Sequence, residues 1–365
     1  MRTMSGDQVQ RAVEHCAAVL RTVLDRDWRG VGAGRLEWDC RRTAFHVADD
    51  LIAYAGQLAG RAQDAYVPFG ITLDEGTDNA GLVHVIETTG ALLAAAVRTA
   101  PPGVRAFHPY PFRSADREGF AAMGIAEVLL HTHDIAQGLG IAHEPPEDLA
   151  ESVLTLLFPH VRPGPAPWPT LLWATGRGDL PGRAPVTGWR WCNNLVLPAG
   201  RLTLTGIRPA AAHDLRLGGD GGFEWLGGGP YDGTREAAGL LVEAYETGVH
   251  RPEFGIFALV RHEDGRAVGG IGFHGAPDEE RRVEIGYDLV EGARGRGYAT
   301  EAVRALTEWA LAREDVGTVI ATIEADNVAS QRVVSRAGFV RATVEEERAA
   351  REEDAGDLRL YVRRP

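Results

Sequence analysis

Arg294-Gly295-Arg296-Gly297-Tyr298-Ala299-Thr300 falls between a stretch that reads as a strand, 282–289, and one that reads as a helix, 300–313. A glycine-rich turn at a helix N-terminus exposes several backbone N–H groups, with the helix dipole behind them. That arrangement suits a pyrophosphate and needs no lysine. Gly295 and Gly297 let the backbone approach such a ligand closely. Working outward, 202–207, 255–260, 267–273 and 318–323 also read as strands, and 234–248 and 330–337 as helices. Strands interleaved with helices predict an α/β layered domain over residues 201–365.

The chain has 365 residues, 44% of them hydrophobic and 24% charged, with a formal net charge of −13. All 38 basic residues are arginine; there is no lysine. A P-loop, a pyridoxal-phosphate Schiff base and a protein kinase each require one, so those chemistries are excluded. Acidic residues outnumber arginines in both halves, 22 against 17 in 1–200 and 29 against 21 in 201–365. No basic footprint for nucleic acid is expected. Cys16, Cys40 and Cys192 match neither a disulfide framework nor a metal pair, which points to a reducing compartment. The opening Met1-Arg2-Thr3-Met4-Ser5-Gly6-Asp7 lacks an apolar signal core, and the apolar stretch 91–97 is too short to span a bilayer. The expectation is a cytoplasmic protein that engages no membrane.

Residues 1–200 read differently. Val9, Ala12, Val13, Cys16, Val19, Leu20, Val23 and Leu24 recur at helical spacing. Further helices are expected at 42–58, with Asp39 as cap, and at 79–99, 118–138 and 147–158. Long helices joined by polar or proline-containing loops predict an all-α, up-and-down four-helix bundle. Beyond it stand Pro163, Pro165, Pro167, Pro169, Pro181 and Pro185 with Trp168, Trp173, Trp189 and Trp191. These predict an ordered, non-helical appendage that ends the bundle. The seam is expected at 198–201, giving domains 1–200 and 201–365.

Upstream of the glycine-rich turn lies Glu284-Ile285-Gly286-Tyr287, and downstream Asn327-Val328-Ala329-Ser330 leads to Gly338-Phe339. In this order and spacing the segment resembles the GCN5-related N-acetyltransferase superfamily, whose Q/R-x-x-G-x-G/A signature maps onto Arg294, Gly297 and Ala299. Within it, the closer match is to the branch that acetylates ribosomal-protein N-termini. The resemblance covers about residues 201–362 and implies a mixed, splayed central sheet. It implies acetyl-CoA as cofactor, held by Arg294, Gly295, Arg296, Gly297, Tyr298, Ala299 and Thr300 together with Asn327 and Ser330. Backbone N–H groups from Tyr287 to Leu289 would hold the thioester carbonyl. Glu284 would be the base, acting through water, and Ser330 would face the thiolate with Asn327 beside it. The tyrosine that many members carry seven residues after the asparagine is Val334 here, which leaves the general acid open. The acceptor would be a primary amine, a small molecule or a peptide N-terminus, in a pocket shaped by loops at 223–229 and 273–275. The acidic charge is compatible with a cationic, aminoglycoside-like amine.

In the first half, Glu127 and His131 stand four apart on one expected helix and share a face. Asp134 follows near that face, His133 points elsewhere, and His46 sits on another helix. Two histidines and one carboxylate leave an open position, as catalytic zinc prefers. From spacing alone, a packed or exposed histidine and a surface ion pair are the commoner readings. Leu36-Glu37-Trp38-Asp39 with His46, Glu127-Val128-Leu129-Leu130-His131-Thr132-His133-Asp134 and Leu171-Leu172-Trp173-Ala174-Thr175-Gly176-Arg177 resemble the mycothiol-dependent maleylpyruvate isomerase and DinB-like superfamily. That resemblance covers about residues 5–192. It implies that His46, Glu127 and His131 bind a divalent metal, zinc, with Asp134 orienting a ligand histidine and mycothiol as the activated thiol. His84, His108, His143 and His160 read as structural or exposed, and the four tryptophans as packing. The expected function is an acetyl-CoA-dependent N-acetyltransferase fused to a metal-binding helical bundle. Two alternatives stand beside it: a bifunctional protein whose bundle is a zinc- and thiol-dependent transferase or isomerase, and a small-molecule sensor or carrier with an inactive acyltransferase half.

Overall fold

The structure, a computed structural model, describes residues 4–101, 103–189, 191–343, 345 and 357–365. Met1, Arg2 and Thr3 of the opening stretch, and residues 346–356 of the acetyltransferase-like segment, lie outside the described residues. The chain divides into two compact units, residues 2–194 and 195–365. The division precedes the expected seam because residues 196–199 pair antiparallel with 202–206 and so belong to the second unit.

Four long helices, α1 (Gly6–Arg21), α2 (Cys40–Gly60), α3 (Asn79–Thr99) and α4 (Arg117–Leu139), build the first unit, α1 and α2 each packing on both α3 and α4. Asp39, Asp78 and Asp116 cap α2, α3 and α4, their carboxylates accepting the N–H groups of Arg42, Gly81 and Gly119 (each 2.7 Å). α4 is buried almost all round, with Phe120, Met123, Ile125 and Leu129 fully enclosed. The same register carries Glu127, His131 and Asp134 inside. By length and composition α3 is apolar enough to cross a membrane, well beyond the short stretch singled out in the sequence. Here its Leu82, Val83, Ile86, Leu93, Ala94 and Val97 lie in the core of the unit.

This unit is mostly helical rather than all-α. β1 (Arg105–Phe107) and β2 (Ser114–Asp116) form an antiparallel hairpin before α4. The guanidinium of Arg105 braces it through Ser114 Oγ (2.9 Å) and the Asn194 carbonyl (2.9 Å). Beyond α4 come α5 (Glu147–Leu157) and α6 (Pro167–Ala174), so the proline-rich appendage is partly helical. Pro167 and Pro169 occupy the first turn of α6, where no intrahelical donor is required, so they do not break it.

The second unit is an α/β fold on an eight-stranded sheet. Its strands are β3 (Val196–Ala199), β4 (Leu202–Gly206), β5 (Ile256–Arg261), β6 (Ala267–Phe273), β7 (Arg282–Tyr287), β8 (Thr318–Glu324), β9 (Val340–Arg341) and β10 (Leu358–Arg363). Their spatial order is β3-β4-β5-β6-β7-β8-β10-β9. β7 and β8 run parallel and every other neighbouring pair is antiparallel, so the sheet is mixed. The helices are α7 (Pro209–Arg216), α8 (Asp232–Thr247), α9 (Tyr298–Leu311) and α10 (Val328–Arg336). Sequence patterning does not reveal α7, the edge strands β3 and β9, or β10, which lies between β8 and β9; all are short or lie outside the repeating strand–helix rhythm. One register detail matters for the site. β7 pairs with β8 only over Arg282, Val283 and Glu284, and with β6 over Ile285, Gly286 and Tyr287. Past Glu284 the two parallel strands part, leaving a wedge-shaped gap.

Candidate active site and candidate metal centre

The chain leaving β7 stays on β6: the N–H groups of Asp288 and Val290 donate to the Gly270 and Val268 carbonyls, both at 2.9 Å. Strand alternation therefore turns the N–H groups of Tyr287 and Leu289 the other way, into the gap. Asp288 completes the ladder with its side chain, Oδ1 accepting from Gly270 N–H (3.0 Å) and from the Thr234 hydroxyl (2.8 Å). Gly269 is required there, because a Cβ would sit 2.1 Å from the Asp288 carbonyl oxygen.

The glycine-rich turn follows at once. Arg294 N–H closes back on the Glu291 carbonyl (3.1 Å) and Glu301 N–H bonds the Gly297 carbonyl (3.1 Å). Among the described residues, the six amides between them, at 295 through 300, have no hydrogen-bond partner. Gly295 and Gly297 lie in the left-handed region, at φ +72° and +87°, and Gly297 is the residue on which α9 starts. Arg201 fixes the turn from outside. Its guanidinium bonds the Arg296 carbonyl (2.7 Å) and Glu301 (2.9 Å) and lies 4.6 Å from the Tyr298 ring centre. Arg294 Nε donates to the Leu289 carbonyl (3.2 Å), joining the turn to the chain that follows β7.

Glu284 stands where the gap begins. The β6–β7 register sets His274 opposite it, with His274 N–H donating to the Glu284 carbonyl (3.0 Å) and Nδ1 3.4 Å from the Glu284 carboxylate. Hydrogen bonding to Glu284 raises the imidazole pKa above its ordinary value. Burial pushes Glu284 up, but hydrogen bonds from His274 and Thr322 outweigh it and hold the carboxyl below its usual range. The imidazole lies against Gly286, where a Cβ would come within 2.7 Å of Nε2. The sequence places His274 only among pocket-shaping residues; its partnership with Glu284 depends on the β6–β7 register.

On α10, Asn327 Oδ1 accepts the Ser330 N–H (3.0 Å), so this side chain is an N-cap. The Ser330 carbonyl accepts from the Tyr287 hydroxyl (3.2 Å), and the Ser330 side chain also interacts with that hydroxyl. Val334 is fully buried. A cavity of about 510 Å³ opens on the His274 side of the sheet, between α8, the chain at 249–257 and strands β6 and β7.

In the first unit, His46, Glu127 and His131 come together from α2 and α4, their ligand atoms all within 4.8 Å of one another. Nε2 of His131 lies 3.0 Å, and Nε2 of His46 3.9 Å, from the same Glu127 oxygen. Asp134 accepts at His131 Nδ1 (2.9 Å) and is itself held by Arg177 (3.0 Å). This leaves Nε2 of His131 as the nitrogen aimed at Glu127 and His46, the arrangement a metal-ligating imidazole takes. Burial lowers the His131 pKa, but Asp134 and Glu127 outweigh it and push it up to about 9. Asp50, 3.4 Å from His46, is driven up to about 9 by burial and then by Glu127. A cavity of about 500 Å³ adjoins the cluster, lined in part by Trp38, Arg177, Trp189 and Trp191. Trp189 and Trp191 pack on each other, their ring centroids 5.5 Å apart, and also line this cavity. His133 turns away to Trp168 and His143, and His108 and His143 are both buried.

Residues 201–340 match the acetyltransferase (GNAT) domain family. The uncharacterized N-acetyltransferase YjdG of Bacillus subtilis is 34% identical over 119 residues, which cover 33% of this chain and 71% of that protein. A second, YoaA of the same organism, is 27% identical over 88 residues, 24% of this chain and half of that protein. Among solved structures, an acetyltransferase from Agrobacterium tumefaciens aligns over 50% of this chain and 100% of its own (23% identity, TM-score 0.34). A putative ribosomal-protein-serine acetyltransferase from Vibrio cholerae aligns over 47% and 98% (16% identity, TM-score 0.34). Through its second unit the chain belongs to the GNAT N-acetyltransferases and is an acyltransferase enzyme.

Proposed function

We propose that the second unit moves the acetyl group of acetyl-CoA to a primary amine, on a small molecule or a peptide N-terminus. The observation that carries this is the run of six amides at 295–300 with no partner among the described residues, joined to the gap between β7 and β8. Consecutive free N–H groups at the start of a helix bind a pyrophosphate without any lysine. The pantetheine arm then enters the gap, where the Tyr287 and Leu289 N–H groups donate to the developing oxyanion. The incoming ammonium loses a proton to the Glu284–His274 pair, His274 facing the cavity and Glu284 raising its basicity. The amine lone pair forms the C–N bond, the C–S bond breaks, and the sulfur leaves as thiolate. The proton it needs comes from the α10 side, where the Ser330 and Tyr287 hydroxyls stand; Val334 offers none. Thiol release from acetyl-CoA with an amine panel tests the reading, and calorimetry showing no acetyl-CoA binding to folded protein overturns it.

A second reading concerns the first unit, in a DinB-like four-helix arrangement. His46, Glu127 and His131 would hold a divalent metal, zinc by ligand type, with Asp134 orienting His131. When bound, such a metal stabilises a thiolate, as of mycothiol, or a metal-bound water. The convergence of two Nε2 atoms on one carboxylate oxygen supports it. Metal analysis of protein purified without chelator should give one equivalent, lost in His46→Ala and His131→Ala; protein free of metal refutes it.

A further inference from the structure

We infer that the amine accepted at this site carries an apolar group, of the size of a phenyl ring with a short alkyl chain, and is not a polycation. The inference rests on the acetyl-transfer reading for the chemistry, and on the cavity beside His274 for the class of acceptor. The 510 Å³ cavity has the size of a small-molecule pocket. Its floor is glycine: Gly270, Gly272 and Gly286 alternate on the sheet face that also carries His274 and Glu284. Its walls are Leu240, Leu241 and Ala244 of α8, with Val249 and with Ile256, which shares the glycine face of the sheet. Leu240 and Val249 are 60% and 69% exposed at its rim, apolar surface that an apolar ligand would remove from water.

The charges around the cavity argue the same way. A polycation buried here would need several uncommitted carboxylates. Asp288 is committed to Thr234 and to Gly270 N–H, and burial raises its pKa. Arg251 contributes a positive charge, paired with Glu253 (2.7 Å) and Asp315 (2.9 Å). Glu236 alone is an exposed lining carboxylate without a partner among the described residues. One carboxylate at the rim and an apolar interior match a monoamine whose hydrophobic tail fills the cavity while its nitrogen stays near His274.

The test is calorimetry of 4-phenylbutylamine and of spermidine against the full chain saturated with CoA, with acetyl transfer from acetyl-CoA measured separately. We expect 4-phenylbutylamine to bind at least about tenfold more tightly than spermidine. Ala244→Trp, which fills the cavity, should abolish that advantage, and Leu240→Glu, at an exposed position, should reduce it; unchanged thermal unfolding shows both variants fold. Equal or tighter binding of spermidine, no binding of 4-phenylbutylamine, or indifference to both substitutions overturns the inference. Binding of 4-phenylbutylamine without acetamide formation would sustain the cavity assignment and count against the transfer reading. Efficient transfer to spermidine alone would do the reverse.

Discussion

At the scale of single residues, Glu284 and His274 divide one task. His274→Gln should lower kcat about 10²–10⁴-fold, and Glu284→Gln by less, each with little change in acetyl-CoA affinity, since the amides of residues 295–300 are untouched. The pH dependence carries a definite sign. With His274 as the proposed base, neutral imidazole is the working form, and Glu284 raises its pKa, so kcat/KM should fall as pH drops through a value above 6.5. In Glu284→Gln that acid limb should move to lower pH, a shift a merely structural carboxylate would not produce. Gly297 is different in kind. At φ +87° a valine is strained and its side chain crowds the Arg201 guanidinium that fixes the turn, so Gly297→Val should weaken acetyl-CoA binding more than tenfold by calorimetry. Gly297 and Glu284 were legible from motif order alone. His274 was not, because its role depends on a cross-strand register and on the missing side chain at Gly286, neither of which leaves a periodic trace.

At the scale of elements, long segments announced themselves and tertiary fits did not. α3 fell at the expected 79–99, and Asp39 caps α2, because helical periodicity and cap chemistry are local. α6 was hidden by its prolines, and β1 and β2 by their length, three residues each. The buried histidines were hidden too. His143 packs against His15, His133 and Trp168, its ring nitrogens have no partner, and burial drives its pKa down to about 3. The folded-state value lies below the unfolded one, near 6.5, so stability is full above that pH and is lost as pH falls toward 3. At pH 5 the loss amounts to about 2 kcal/mol. Thermal unfolding of the native protein should therefore drop between pH 7 and pH 5, and His143→Phe should flatten that slope.

At the scale of the whole molecule, each unit keeps its own core. The large cluster of the first unit runs from Met4 to Trp191, and the α7–α8 cluster of the second from Ile207 to Ala258. Residues 195–365 expressed alone should bind acetyl-CoA within about threefold of the full chain by calorimetry, a difference of well under 1 kcal/mol. A much larger loss would mean that the first unit supports the cofactor site. The sheet of the second unit has a further consequence. Any open ladder is a template on which a strand from another chain can grow. Here one rim is β3, with Pro198 among its four residues, and the other is β9, only two residues long. A ring nitrogen that cannot donate, and a strand too short to hold a newcomer, leave the ladder blunt at both ends. Among the described residues, neither rim of the sheet therefore offers a strand from another copy a full ladder on which to grow.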